Sequence, residues 1–202
     1  MTEMWEIEQS WFDRGYNLIC GVDEAGRGPL AGPVCAAAVI LPKGIDIPGL
    51  NDSKKLSDKR RRELFPVIKE QAVAYAVALV DHTTIDEINI LQATYLAMKQ
   101  AIEQLPVRPE LALVDGNRGS DFGVAVETVV HGDSLSASIA AASVLAKVTR
   151  DDYMLEMARE YPGYGFELHK GYGTKAHYEA LRNLGACQIH RISFLKKFYG
   201  EK

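Results

Sequence analysis

No Cys-x-x-Cys pair occurs in this chain, and its three cysteines, Cys20, Cys35 and Cys187, are an odd number without paired spacing. A zinc ribbon or a thioredoxin-like redox motif is therefore not expected. No apolar run approaches the ~18 residues of a membrane span. The first residues, MTEMWEIEQSWFDRG, are acidic and lack the apolar stretch of a signal peptide. Positive charge is not in excess either: 23 Lys and Arg stand against 27 Asp and Glu, a net charge of −4. A global basic field for nucleic acid is excluded, so any such binding must come from local patches. Repeats and low-complexity segments are absent. The expectation is a cytoplasmic protein with reduced thiols.

What is there is ordinary globular material. The 202 residues are 47% hydrophobic and 25% charged. A chain of this length buries roughly 70% of its unfolded surface and needs no staples. Residues 1–17 read as an N-terminal extension, with Glu3, Glu6 and Glu8 in solvent, and residues 18–202 as one catalytic domain.

From Leu18 the pattern sharpens. Leu18-Ile19-Cys20-Gly21-Val22 is a strand candidate ending in Asp23-Glu24, followed by the turn Ala25-Gly26-Arg27-Gly28-Pro29. Residues 34–41 form a second strand, antiparallel to the first because the link is short. A charged helix follows its N-cap Ser57 and meets Pro66 as an interruption. Residues 72–80 form a third strand. Thr84 and Glu87 form a capping box that opens a helix to about Leu105. Residues 111–114 and 124–130 are two further strands, and 134–157 reads as one long helix, small-sided and buried in its first half. Thr174 caps a helix that Gly185 stops. The sum is an α/β domain with a mixed sheet.

Three of these strands terminate in an acid: Asp23 with Glu24, then Asp115, then Asp133. Each acid taken singly also reads as an ordinary turn-forming residue. Three in one chain, one of them a doublet, favour a site, because ligand sites of open α/β sheets lie at strand ends. Converging carboxylates repel and need a cation or a shared proton. Hard oxygen donors without His or Cys suit Mg²⁺ or Mn²⁺, and such ions in pairs serve phosphodiester hydrolysis. Asp23 and Glu24 are neighbours, so both reach one ion only if the strand ends or bends at them. Gly26-Arg27-Gly28 offers backbone N–H groups and a guanidinium to a phosphate or a sugar hydroxyl. Residues 51–70 hold seven basic against four acidic residues, and 163–202 hold seven against three, the latter among Tyr164, Phe166, Tyr172 and Tyr178. Such interleaving suits a nucleic-acid backbone with stacked bases or sugars. The five histidines form no i, i+4 pair and read as surface or hydrogen-bonding residues; His169 has the best functional claim.

Seven strings in this order resemble ribonuclease HII, the bacterial type 2 ribonuclease H. They are Val22 to Gly28, Asn51 to Ser57, Val114 to Asn117, Gly132-Asp133, Ser138 to Ser143, Ala146 to Asp151, and His169 to Tyr172. The resemblance runs from about Leu18 to Phe198. It implies a ribonuclease H-like fold, a mixed five-stranded sheet flanked by helices with a helical C-terminal segment. It implies endonucleolytic hydrolysis of the RNA strand of RNA–DNA hybrids and incision 5′ to single ribonucleotides in duplex DNA. The products would carry 5′-phosphate and 3′-hydroxyl ends. Asp23, Glu24, Asp115 and Asp133 match the family's catalytic acids, holding two Mn²⁺ or Mg²⁺ ions. Gly26, Arg27, Gly28 and Tyr172 match its reader of the ribose 2′-hydroxyl and the RNA-to-DNA junction. Ser53, Lys54, Lys147, His169 and Lys170 fall in matching motifs and are assigned to substrate binding; Asp151 is not assigned as a ligand. The sister ribonuclease HIII carries an additional N-terminal domain, and only 17 residues precede the first strand here. The family's role implies replication or repair, in the cytoplasm, as a monomer without membrane contact. Leu195-Lys196-Lys197-Phe198-Tyr199 resembles part of a sliding-clamp peptide without its leading glutamine; a tail helix packed on the domain is the simpler reading. Other metal nucleases or resolvases of this fold, and a non-catalytic hybrid-binding protein, are the competing classes.

Overall fold

Strand β1 (Ile19–Ala25) lies at the centre of the sheet. The computed structural model describes residues 3–200. β2 (Val34–Ile40) pairs antiparallel with β1, and β3 (Ala74–Val80) pairs antiparallel with β2. β4 (Leu111–Asp115) joins the other side of β1 in parallel, and β5 (Ala125–Val129) joins β4 in parallel. The order is β3-β2-β1-β4-β5, the mixed five-stranded sheet expected. The short 26–33 link allows only the antiparallel return, whereas reaching β4 takes a long crossover.

β2 reads VCAAAVI and is buried at every position, because both of its faces are covered. One face carries α3 (His82–Glu103), whose Ala93, Ala97, Met98 and Ala101 pack on Val22, Val34 and Ala36. The other carries α2 (Asp58–Gln71) and α5 (Ala137–Glu160), with Leu64, Ile68, Ala141 and Leu145 against Cys35, Ala37 and Val39. α5 is buried on all sides along its alanine-rich start. It approaches β1 so closely that a Cβ on Gly21 would lie 2.0 Å from the Ser138 carbonyl carbon. The C-terminal segment adds α6 (Phe166–His169), α7 (Lys175–Leu184) and α8 (Ile192–Tyr199). No described helix is long and apolar enough to cross a membrane.

Four local expectations need correction. α2 runs through Pro66, which is exposed, so the carbonyl left without a donor faces solvent. α3 is capped by Asp81, whose Oδ1 accepts the Thr84 N–H at 2.8 Å, not by the Thr84–Glu87 box. It breaks at Asn89 (φ 68°), whose side chain caps the second half by accepting from Leu91 and Gln92. The long helix over 134–157 is two, α4 (Gly132–Leu135) and α5, separated by Ser136 in extended conformation. Ser136 caps α5 by accepting the Ile139 N–H.

The fourth correction concerns Glu8, which is buried rather than solvated. α1 (Glu6–Phe12) packs on the domain, and Trp5 donates its indole N–H to the Ile45 carbonyl at 2.9 Å. Glu8 Oε1 accepts from the Ser136 hydroxyl at 2.7 Å and the Ser138 N–H at 3.0 Å. The N-terminus of α5 thus finds its acceptor 130 residues away along the chain. Burial pushes the Glu8 carboxyl up. Replacing Glu8 with alanine orphans both donors and is expected to lower stability by about 1–3 kcal/mol. Glu8→Gln keeps an acceptor and should lose less; equal melting temperatures for the two variants and wild type would refute this role.

Candidate active site

The parallel strands β1, β4 and β5 end on the same side of the sheet, and register does the rest. Val22 pairs with Val114, so Asp23 and Asp115 follow as neighbours one residue on. After β5 the chain turns through His131 in the left-handed region (φ 58°) and delivers Asp133 from α4. Asp115 Oδ1 anchors that turn by accepting the Gly132 N–H at 2.7 Å. A carboxylate oxygen from each of Asp23, Asp115 and Asp133 lies within 4.8 Å of the others. Asp23 and Asp133 are buried. Burial, then the charges of Glu24 and Asp115, push the Asp23 carboxyl well above the usual carboxylate range. Burial, then Asp133, raise Asp115. Three carboxylates this close, two buried and one half-buried, call for a cation, and an all-oxygen donor set fits a hard divalent one.

Glu24 does not join that cluster. β1 neither ends nor bends at the doublet but stays paired with β2 through Ala25. Adjacent strand residues face opposite ways. Glu24 therefore faces a cleft of about 320 Å³ with Arg27, Asp115, Asn117 and Arg118 on its walls. Arg27 Nη1 donates to Glu24 Oε1 at 3.3 Å. Burial raises the Glu24 carboxyl, against the opposing pull of Arg27.

Lys54 reaches over the acids from the 51–56 loop, its ammonium 3.1 Å from Asp133 Oδ2. Burial works against its charge, but the Asp133 hydrogen bond and the charges of Asp23 and Asp133 raise it overall. Ser53 Oγ is 2.6 Å from Ser143 Oγ on α5, and Ser143 also hydrogen-bonds Asp23. Ser143 has no place among the sequence candidates, although it lies in one of the strings that carry the resemblance. Lys147 stands apart from the acid cluster's hydrogen bonds, paired with Asp151 at 2.7 Å.

Tyr172, 43% exposed, sits beside the Gly26–Gly28 turn: a Cβ on Gly28 would lie 3.6 Å from its ring. Of the turn's residues, Gly26 is buried while Arg27 and Gly28 are exposed. Lys170 adopts the left-handed region (φ 51°) and shapes the turn that presents Tyr172. His169 braces it, with Nε2 on the Tyr164 carbonyl at 2.9 Å and Nδ1 accepting the Gly171 N–H.

Two further histidines are buried and hydrogen-bonded, the second of the two readings that the sequence allowed for them. His177 Nδ1 is 3.0 Å from the Tyr172 carbonyl, which only accepts, so Nδ1 carries the proton. His177 Nε2 then accepts from His190 Nε2 at 3.0 Å, and His190 Nδ1 accepts the Cys187 N–H at 2.9 Å. With these donors and acceptors both rings are neutral. Burial lowers His177, and burial followed by His177 takes His190 from 6.5 to about 4. Between those values the folded state holds fewer protons than the unfolded, so stability falls as pH falls through that window. The melting temperature should drop between about pH 7 and about pH 4.5, and less so in His190→Gln. Equal drops would remove the pair as its cause.

In α8, Leu195 is fully buried and Phe198 stacks on Tyr178, while Ile192 and Tyr199 stay exposed. The tail helix packs on the domain.

The comparisons with known proteins agree with this geometry. The family model for Ribonuclease HII matches residues 20–197. The Ribonuclease HII of Endomicrobium trichonymphae is 57% identical over 196 residues, covering 96% of this chain and 92% of the relative. That of Geobacter sulfurreducens is 54% identical over 191 residues, covering 95% and 88%. Among solved structures, ribonuclease H2 from Pyrococcus horikoshii superposes with a TM-score of 0.74 at 25% identity, over 92% of this chain and 100% of that one. The enzyme in the PCNA:RNase HII complex of Archaeoglobus fulgidus matches with a TM-score of 0.74 at 26% identity, over 87% and 94%. With the acids, the sheet order and these relatives in agreement, the chain belongs to the ribonuclease HII family, type 2 ribonucleases H that act as endoribonucleases on RNA–DNA hybrids.

Proposed function

We propose that this enzyme also incises duplex DNA on the 5′ side of a single embedded ribonucleotide, using two divalent cations and leaving 5′-phosphate and 3′-hydroxyl ends. The observation that carries this reading is the junction of two sites. The acid cluster and the Gly28–Tyr172 pair are joined through one residue, Glu24, which lies next to Asp23 and binds Arg27 in the turn that carries Gly28.

Asp23, Asp115 and Asp133 would hold one ion, and Asp23 with Glu24 the other. Such a pair, Mg²⁺ or Mn²⁺, supplies the Lewis acidity for in-line displacement at phosphorus. The chain's own groups do the rest. Lys54 places a positive charge beside Asp133, where a phosphate would approach. The 2′-hydroxyl is the group that distinguishes ribose at the cut. Backbone N–H groups of the Gly26–Gly28 turn and the Tyr172 hydroxyl read it, and the Tyr172 ring stacks on the adjoining sugar. Ser53, Lys147, His169 and Lys170 hold the strand or the turns that hold it. The working context is replication or repair in the cytoplasm. A sliding-clamp contact through the tail belongs to the same proposal and would use Ile192 and Tyr199, since Leu195 is committed to the core.

A labelled DNA duplex carrying one ribonucleotide tests this, incubated in Mg²⁺, Mn²⁺ or EDTA beside an all-DNA control. The expected result is metal-dependent incision only on the 5′ side of the ribonucleotide. Tyr172→Ala should lower that rate about 10- to 100-fold, as for loss of a stacking contact of ~1–3 kcal/mol. Cutting of longer hybrids alone would reject the junction role, and cutting of the all-DNA duplex would favour a general nuclease.

A further inference from the structure

The loop between β1 and β2 is stitched together by two arginines that no reading of the active site uses. Arg150 of α5 and Arg191, just before α8, are among the most completely buried side chains of the protein. Arg150 donates to three backbone carbonyls: Nε to Pro33 at 3.0 Å, Nη1 to Lys170 at 3.0 Å and Nη2 to Ala31 at 3.2 Å. Arg191 does likewise, with Nε to Gly32 at 2.9 Å, Nη1 to Arg27 at 3.0 Å and Nη2 to Gly26 at 2.7 Å. Neither forms an ion pair among the described residues. Asp151, next to Arg150, is taken by Lys147; Asp86, whose charge Arg191 feels, accepts the Ile192 N–H at 2.8 Å.

Two buried cations without counter-ions are a poor way to stabilise a fold, since apolar side chains would do better. Their fixed geometry does something apolar groups cannot. A trans peptide points its C=O and the following N–H in opposite directions. Drawing the Arg27 carbonyl inward to Arg191 therefore turns the Gly28 N–H outward, and drawing the Gly26 carbonyl inward turns out the N–H of Arg27. Arg150 sets the other dimension. A Cβ on Gly26 would fall 1.9 Å from Arg150 Nε, so the arginine side chain occupies the space that any side chain at that glycine would need. The Tyr172 ring centroid stands 5.9 Å from Arg150 Cζ, on the turn whose Lys170 carbonyl Arg150 also holds.

We propose that Arg150 and Arg191 are positioning residues for ribose recognition: Arg191 aims the backbone donors of the Gly26–Gly28 turn, and Arg150 sets their distance from Tyr172. This rests on the reading of that turn and Tyr172 as the 2′-hydroxyl reader. Lysine keeps the charge but has no planar fork to hold three carbonyls.

The test compares incision of a duplex carrying one ribonucleotide with one carrying a 2′-fluoro nucleotide at the same place. Wild type, Arg191→Lys, Arg150→Lys and Tyr172→Ala are each assayed at a temperature where circular dichroism shows them folded. The expected result is a fall of at least about tenfold in the 2′-hydroxyl/2′-fluoro ratio of kcat/KM for Arg191→Lys, the size of one lost hydrogen bond. Arg150→Lys should move the ratio in the same direction, and calorimetric Mn²⁺ binding to both should match wild type. If both lysine variants slow the two substrates equally, or neither folds, the arginines serve only the fold and the proposal is overturned. If Tyr172→Ala loses discrimination while both lysine variants keep it, the proposal fails and the reader stands. If Tyr172→Ala discriminates as wild type does, the reader itself is wrong and the proposal falls with it.

Discussion

Asp115→Asn is expected to lower turnover at least about 10³-fold while leaving hybrid binding near wild type, because several kcal/mol of transition-state stabilisation hang on the ions the acids hold. The geometry makes this a clean substitution. Asparagine keeps an oxygen to accept the Gly132 N–H that Asp115 accepts at 2.7 Å, so the turn carrying Asp133 stays anchored. What disappears is one negative charge from three carboxylates that approach within 4.8 Å. Without metal, that charge opposes its neighbours, as the raised Asp23 and Asp115 carboxyls indicate. The variant should therefore melt higher than wild type in EDTA, yet gain less on adding Mg²⁺ or Mn²⁺, since a ligand stabilises only in proportion to its binding. Melting curves with and without metal, beside turnover and hybrid binding in EDTA, measure all of this. Near-wild-type cleavage would remove Asp115 from the metal site.

Gly21→Ala should destabilise the protein by more than about 4 kcal/mol, the range reserved for overpacking that cannot relax. The added Cβ would meet the Ser138 carbonyl carbon at 2.0 Å and the Ile139 nitrogen at 2.2 Å. Both are backbone atoms at the start of a buried helix, and no rotamer change clears them. Gly28→Ala is the control, because its nearest obstacle is the Tyr172 ring at 3.6 Å. We expect Gly21→Ala to be insoluble or to melt far below wild type, and Gly28→Ala to fold. A Gly21→Ala protein that melts like wild type would show that α5 is not seated on β1 at this point.

The acids were legible because each leaves a local mark: an apolar run that gives way to a carboxylate with a glycine within three residues of it. The antiparallel β1–β2 pair was legible from the shortness of its link. Elsewhere the deciding partner lies far off in sequence, and no window of residues contains it. Glu8 reads as solvated among Glu3 and Glu6, yet its partners are Ser136 and Ser138. The same contact holds Ser136 out of the helix that the periodicity of 134–157 predicts. At α3 two caps compete locally, and Asp81 wins over Thr84 because its carboxylate receives both the Thr84 N–H and the Thr83 hydroxyl. Arg150 and Arg191 resemble any surface arginine in the string, for their acceptors are main-chain carbonyls that every residue possesses. Glu24 shows the limit from the other side: the doublet places it beside Asp23, but its ion pair with Arg27 and the cleft it shares with Asp115 depend on the fold around it and not on that adjacency.

The seating of α5 on β1 also bears on how the site responds to its surroundings. Asp23 rises from the strand that carries Gly21, and Ser143, which hydrogen-bonds it, from the helix that presses on that glycine. Backbone meets backbone there, with the alanines of α5 filling the flanks. Such a contact has almost no free volume, and well-packed interiors are nearly incompressible. Hydrostatic pressure or cooling finds little there to squeeze. The spacing of the acids should thus be set once, at folding, and stay nearly constant over the range of conditions in which the chain remains folded.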